Sequence, residues 1–226
     1  MVLVQQKLIW SPSSWEDAVA FVRRITDGQG CPIDEGIVET VVALNLLGLR
    51  TCQSCEGHLD DGWPYPWVDF ETDEFPAFKQ ALEETSREEL SPEEREAKGA
   101  QLVALAATLP SRGVLYARLE ELLGTYYQQY PATSEEWRLV IHWSSPILFR
   151  LMPSCGYEAA IWPTEMRARN LQRAQAEMQA FTQFLKRLWQ ERPVMKEASA
   201  AIGRSPSAVR RPCFNRGRKQ GREDYP

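Results

Sequence analysis

The spacing of apolar residues divides this chain into helices and a few short strands. Trp15, Ala18, Val19, Val22 and Ile25 recur at three- and four-residue steps behind the capping pattern Ser13-Ser14-Trp15-Glu16, which predicts a first helix over residues 14–26. Asp27-Gly28-Gln29-Gly30 ends it. Asp34 opens a second helix with Ile37, Val38, Val41, Val42 and Leu44 on its apolar face, and Gly48 suits the left-handed position past a helix end. Residues 49–53 then form a short strand. Trp67-Val68-Asp69-Phe70 is a second, with Val68 and Phe70 on one face. A helix through Phe75, Phe78 and Leu82 follows it.

Ser91-Pro92-Glu93-Glu94 is a further helix start, with proline in the first turn, and leads an alanine-rich helix to about Leu109. Leu115, Leu119, Leu122 and Tyr126 mark one side of the next. From Trp137 to Trp143 the pattern changes from helical to alternating, with Trp137, Leu139, Ile141 and Trp143 facing one way and Arg138, Val140 and His142 the other. Residues 147–152 supply its antiparallel neighbour. The longest helix starts at Pro163-Thr164 and carries Leu171, Ala174, Met178, Phe181, Leu185 and Leu188 to about residue 190, close to 40 Å at about 1.5 Å per residue.

Short strands interleaved with helices of this kind predict an α+β fold: a small, mostly antiparallel sheet of about four short strands packed by helices, with one long C-terminal helix. The expected organisation is an α+β domain over 1–162 with a charged, exposed insertion at 83–98. A long amphipathic helix over 163–191 and a basic segment with a disordered tail over 192–226 complete it.

Charge sharpens that division. Residues 1–162 hold 12 Lys and Arg against 25 Asp and Glu, a balance of −13, whereas residues 163–226 hold 14 against 6, a balance of +8. A basic end on an acidic body points to nucleic acid or another acidic partner there, or else to a solvated tail. Composition adds 43% hydrophobic residues and eight tryptophans, enough for a substantial core. No apolar run reaches the roughly 18–20 residues of a membrane span, and MVLVQQKLIW carries no basic leader, so the expected location is cytoplasmic. Five cysteines, of which only Cys52 and Cys55 are close in sequence, argue for reduced thiols over a disulfide framework.

The candidate chemistry gathers between Leu49 and Phe70, LRTCQSCEGHLDDGWPYPWVDF. Cys52-x-x-Cys55-x-x-His58 has the spacing of zinc ligands, with His142, Cys155 or Cys31 available as a fourth. Cys55 with His58 or His142 as base would also make an activated nucleophile. A thioredoxin-like role needs the pair at a helix start, which Gly57, Asp60-Asp61-Gly62 and Pro64 oppose. The same residues suit a tight structural turn with Gly57 at positive φ. Ser54, Glu56, Asp60, Trp63, Tyr65 and His142 are the expected lining of a polar ligand pocket, with Trp63, Tyr65 and Trp67 able to stack on a flat ligand such as a nucleobase.

The run ALNLLGLRTCQSCEGHLDDGWPYPWVDF resembles an uncharacterised bacterial and phage family with the pattern LNxxGxxTxxSC[EQ]GH…PYPxVxF, matched by Asn45, Gly48, Thr51, Ser54, Cys55, Glu56, Gly57, His58, Pro64 and Pro66. The resemblance puts the weight on Ser54, Cys55 and His58. The order helix, Thr-x-Ser-Cys-x-Gly-basic, strand is also similar to the tRNA wybutosine-synthesis methyltransferase of the third step. There a serine stands where this chain has Glu56 and an arginine where it has His58, so what that similarity implies is fold alone.

At the basic end, AIGRSPSAVR resembles half of a helix-turn-helix, whose second helix carries arginines to phosphates or base edges. Pro212 truncates it. Arg204, Arg210, Arg211, Arg216, Arg218 and Lys219 are the expected nucleic-acid contacts. Three functions follow as expectations. The first is a ligand-binding protein with a polar Cys/His pocket and a nucleic-acid-contacting C-terminus. The second is an enzyme acting on a nucleotide or RNA base through Cys55 and His58, and the third is a zinc-stabilised interaction protein.

Overall fold

The computed structural model describes residues 12–27, 30–60, 62–72, 90–108, 110–145 and 148–191. The expected helix through Phe75, Phe78 and Leu82, residues 83–89 of the charged insertion and the whole basic segment from 192 onward lie outside them. Ser14 caps α1 (Trp15–Val22), its hydroxyl accepting from the Asp17 amide at 3.0 Å. The helix stops four residues short of the expected end because the amides of Arg24 and Ile25 bond carbonyls only three residues back, tightening the chain into a turn. A 3₁₀ turn (Glu35–Ile37) then leads into α2 (Val38–Leu46), with Gly48 at φ +80° just beyond. Val38, Thr40, Val41, Val42, Ala43 and Leu44 are all buried, so α2 lies in the interior between α1 and α5 (Thr164–Glu191).

Four strands form one antiparallel sheet: β1 (Thr51–Cys55), β2 (Trp67–Glu71), β3 (Leu139–Ser145) and β4 (Leu148–Pro153), ordered β1-β2-β4-β3. The chain is therefore an α+β protein with one long C-terminal helix. Between β2 and β3 run α3 (Pro92–Ala107), opened by a complete capping box between Ser91 and Glu94, and α4 (Pro110–Gln129). Among the described residues no helix is long and apolar enough to cross a membrane.

One face of the sheet is apolar. Val68, Phe70, Phe149 and Leu151 are fully buried there against Val42 and Leu44 of α2, Leu119 and Tyr126 of α4, and Phe181 and Leu185 of α5. The other face carries a polar row, Gln53, Asp69, Arg150 and His142, set side by side by the strand register. At its centre Arg150 donates twice to the Asp69 carboxylate, at 2.8 and 2.9 Å, and lies 3.8 Å from the centre of the Trp67 ring. Burial of the Asp69 side chain to 2% exposure makes this an interior ion pair. A smaller apolar cluster adjoins the row, with Tyr65, Met152, Ala159 and Ala174 buried and Trp67, Trp137, Val140 and Trp162 around them.

Two further boundaries differ from expectation. β1 lies two residues further along than residues 49–53, because Leu49 is drawn into the main core and pairing with β2 continues until Cys55 faces Trp67. Ser54 and Cys55 are thus strand residues and the turn starts at Glu56. Trp137 belongs to a 3₁₀ turn (Glu135–Trp137) before β3 and packs in the smaller cluster, while Leu139 and Ile141 join the main core.

Candidate metal centre

Two segments converge at the end of β1. Asp34 stands at the start of the 3₁₀ turn before α2, but its side chain makes no helix-capping bond. It turns instead toward the chain leaving β1, where its Oδ2 accepts from the Glu56 amide at 3.1 Å and lies 3.1 Å from His58 Nε2. Cys55 completes the group. One ligand atom from each of Asp34, Cys55 and His58 lies within 4.8 Å of the other two, and all three side chains are half-buried.

The turn that brings Cys55 and His58 together depends on Gly57. Its φ is +88°, and a Cβ there would stand 2.7 Å from Leu171 Cδ1 and 2.7 Å from the Tyr65 carbonyl carbon. Its amide donates to Cys55 Sγ at 3.3 Å, and the His58 amide donates to the Trp63 carbonyl at 3.0 Å, closing the loop to Trp63. Glu56 ties this loop to the body: its carboxylate accepts from the Gly36 amide at 2.7 Å and its carbonyl accepts from Gln175 of α5 at 3.0 Å. Glu56 is a brace for the site, with its side chain already engaged.

The electrostatics separate the candidate chemistries. Burial pushes the Cys55 thiol up to about 11, with the Asp34 and Glu56 carboxylates adding to the effect. An activated thiol is drawn below its ordinary range by a neighbouring imidazole, whereas this one is pushed the other way. Here the carboxylate of Asp34 faces both the thiol and the imidazole. Among the described residues no Lys or Arg nitrogen lies within ion-pair reach of Asp34. A thiol, an imidazole and a carboxylate around one point are the donor set of a zinc-class ion, which binds S at about 2.3 Å and N and O at about 2.0–2.2 Å. A tetrahedron with those bonds separates its ligand atoms by about 3.3–3.7 Å; here Asp34 Oδ2 and His58 Nε2 are 3.1 Å apart and all three atoms lie within 4.8 Å of one another, close to that spacing.

The structure distributes the expected site residues as follows. Cys55 and His58 are together; Cys52 is not in their group, and Asp34 stands in it instead. The four described cysteines, Cys31, Cys52, Cys55 and Cys155, form no disulfide. Ser54 points to the opposite face of β1 from Cys55, and Asp60 is exposed. Trp63 is 46% exposed and leans on the buried ring of Tyr65, whose centre is 5.7 Å away. Tyr65 therefore belongs to the smaller core cluster. His142 lies on β3, the far edge strand, where its Nδ1 is 2.9 Å from the Tyr157 hydroxyl, so the width of the sheet separates it from Cys55. Arg204, Arg210, Arg211, Arg216, Arg218 and Lys219 lie outside the described residues. Asp34 is the residue sequence reasoning missed as a ligand. Its position before a helix reads as a cap, and only the missing capping bond reveals its other use.

No protein-family model, curated protein or solved structure matches this chain.

Proposed function

We propose that this α+β protein binds a divalent metal ion of the zinc class through Asp34 Oδ, Cys55 Sγ and His58 Nε2. The observation that carries the reading is the convergence of three different donor types from two separate segments within 4.8 Å. Three protein ligands leave a fourth position for water or a ligand, the arrangement of a zinc site that interacts with other molecules. The bound ion supplies the positive charge that would hold Cys55 as a thiolate. Glu56, Gly57 and Gln175 orient the ligand-bearing loop through the hydrogen bonds described above.

The test is zinc stoichiometry and affinity of the freshly purified full chain, measured by competition with a chromophoric chelator. One ion per chain is expected, with affinity strongly reduced in Cys55→Ser, His58→Ala and Asp34→Asn and retained in Cys52→Ser. Loss in Cys52→Ser with retention in Asp34→Asn would replace this ligand set by the Cys-x-x-Cys-x-x-His one. Absence of binding would end the metal reading.

The charge asymmetry favours a second role for the C-terminal end, contact with nucleic acid through Arg204, Arg210, Arg211, Arg216, Arg218 and Lys219. A titration of DNA and RNA at several salt concentrations, comparing the full chain with one ended at Glu191, should show salt-dependent affinity only for the former. Equal affinity of the two would reject that role.

A further inference from the structure

Away from the metal centre, a cleft of about 450 Å³ opens between the turn at Thr133–Trp137 and the middle of α5. That volume lies within the range of small-molecule sites, in a broad cleft that stays open to solvent on one side. Its floor is Glu177, a carboxylate only 9% exposed on the buried side of α5. The Tyr127 hydroxyl donates to Glu177 Oε1 at 3.0 Å and the Thr133 hydroxyl to Oε2 at 3.2 Å. The Tyr126 hydroxyl also bonds this carboxylate, and all three partners are neutral. Among the described residues no Lys, Arg or His nitrogen comes within ion-pair reach of Glu177, although a buried carboxylate is ordinarily matched by a positive charge.

The nearest cation by sequence is Arg173, one helical turn before Glu177. Residues so placed sit about 6 Å apart at Cβ and normally pair when their charges are opposite. Here they do not. Arg173 lies over the Trp137 indole instead, its guanidinium carbon 5.6 Å from the ring centre, while Glu177 turns inward to the tyrosine and threonine hydroxyls. Trp137 is held by its own indole N–H, which donates to Glu136 Oε1 at 2.6 Å. One wall of the cleft thus presents an exposed guanidinium laid against Trp137 and its floor a carboxylate held by hydroxyls, about one turn of helix apart.

The geometry points to a binding site for a small zwitterion of the α-amino acid type, its ammonium on Glu177 and its carboxylate on Arg173. The Trp137 side of the cleft borders the ligand's apolar part. An ammonium donates to the acceptor capacity that the hydroxyls leave on Glu177 and supplies the missing counter-charge. A ligand carboxylate takes the guanidinium donors that Arg173 withholds from Glu177, and bidentate capture is within the reach of that planar group.

Calorimetric titration of the full-length protein tests this with three matched probes: L-phenylalanine, phenethylamine, which lacks the carboxylate, and hydrocinnamate, which lacks the ammonium. The zwitterion should bind about tenfold or more tightly than either fragment, the worth of one charge-assisted hydrogen bond. Arg173→Ala, at an exposed position, should bring L-phenylalanine down to the level of phenethylamine. Glu177→Gln, with its fold checked by circular dichroism, should bring it down to the level of hydrocinnamate. Should that variant unfold, the Arg173→Ala result decides alone. Equal binding of the three probes, no binding at about 10 mM, or an unchanged preference in Arg173→Ala would overturn the assignment.

Discussion

Asp69 and Asp34 are both carboxylates near the same small sheet, yet their surroundings differ in kind. Asp69 lies at the centre of the sheet's polar face with a guanidinium matched to it bond for bond, and Trp67 closes the other side of Arg150. Asp34 lies at the end of β1 facing a thiol, an imidazole and a backbone amide, none of which carries a permanent charge. A carboxylate with its own fixed cation is internally complete and serves the fold. One ringed by soft and titratable donors is complementary to an ion from outside. The difference is in the partners and in burial alike: the Asp69 and Arg150 side chains are 2% and 16% exposed, against 27% and 35% for Asp34 and His58, although both pairs are built from residues distant in sequence.

The largest effect should come from breaking the complete pair. Asp69→Ala leaves the Arg150 guanidinium buried without its partner, and urea denaturation should show a loss of about 3–5 kcal/mol. Asp34→Ala, by contrast, should cost much less in metal-free protein; comparable losses would erase the distinction between the two carboxylates. Next comes the turn that shapes the site. Gly57→Ala forces an L-residue into positive φ and drives a methyl against the Tyr65 backbone, a cost of about 2–4 kcal/mol in the same assay. A neutral outcome would mean that the loop can rearrange and that the convergence of Cys55 and His58 is not enforced.

A third effect belongs to the metal centre alone. Zinc at a hundredfold excess over its Kd should stabilise the folded protein by about 2.7 kcal/mol. The rise in unfolding midpoint should vanish in Asp34→Asn and persist in Cys52→Ser and Asp69→Asn, read against each variant's own metal-free baseline. Smallest of all should be the exposed pair between Arg23 and Glu35, where the side chains are 55% and 70% exposed. Arg23→Ala should leave the unfolding midpoint where it is, because solvent screens a surface pair that it cannot reach at Asp69. A clear shift there would show that pairing itself, rather than burial and stacking, stabilises Asp69 and Arg150.

Thiol reactivity provides a check outside the metal centre. Burial pushes the Cys155 thiol up to about 12, chiefly by desolvation. The thiolate fraction at pH 8 is then about a thousandfold below that of an ordinary cysteine. Iodoacetamide followed by peptide mass analysis should modify exposed Cys31 well before Cys155.

Much of the fold is legible along the chain. The apolar steps of α5, the Ser91 capping box, the glycine after α2 and the alternation through Leu139 and Ile141 are local patterns, written by the 3.6-residue and two-residue periods of helix and strand. The same local reading singles out the turn Ser54-Cys55-Glu56-Gly57-His58, because a glycine between polar residues of these types is visible without knowing what surrounds it. What lies across space is another matter. Asp34 meets His58 across 24 residues and Asp69 meets Arg150 across 81, and both encounters follow from how α2 and the strands pack and register. The local spacing also groups Cys52 with Cys55, whereas the folded chain gathers Cys55, His58 and Asp34. Sequence by itself determined the elements and the turn that presents a thiol and an imidazole. Only tertiary structure decided which carboxylate faces them, because long-range partners are selected by packing and carry no period that a single chain displays.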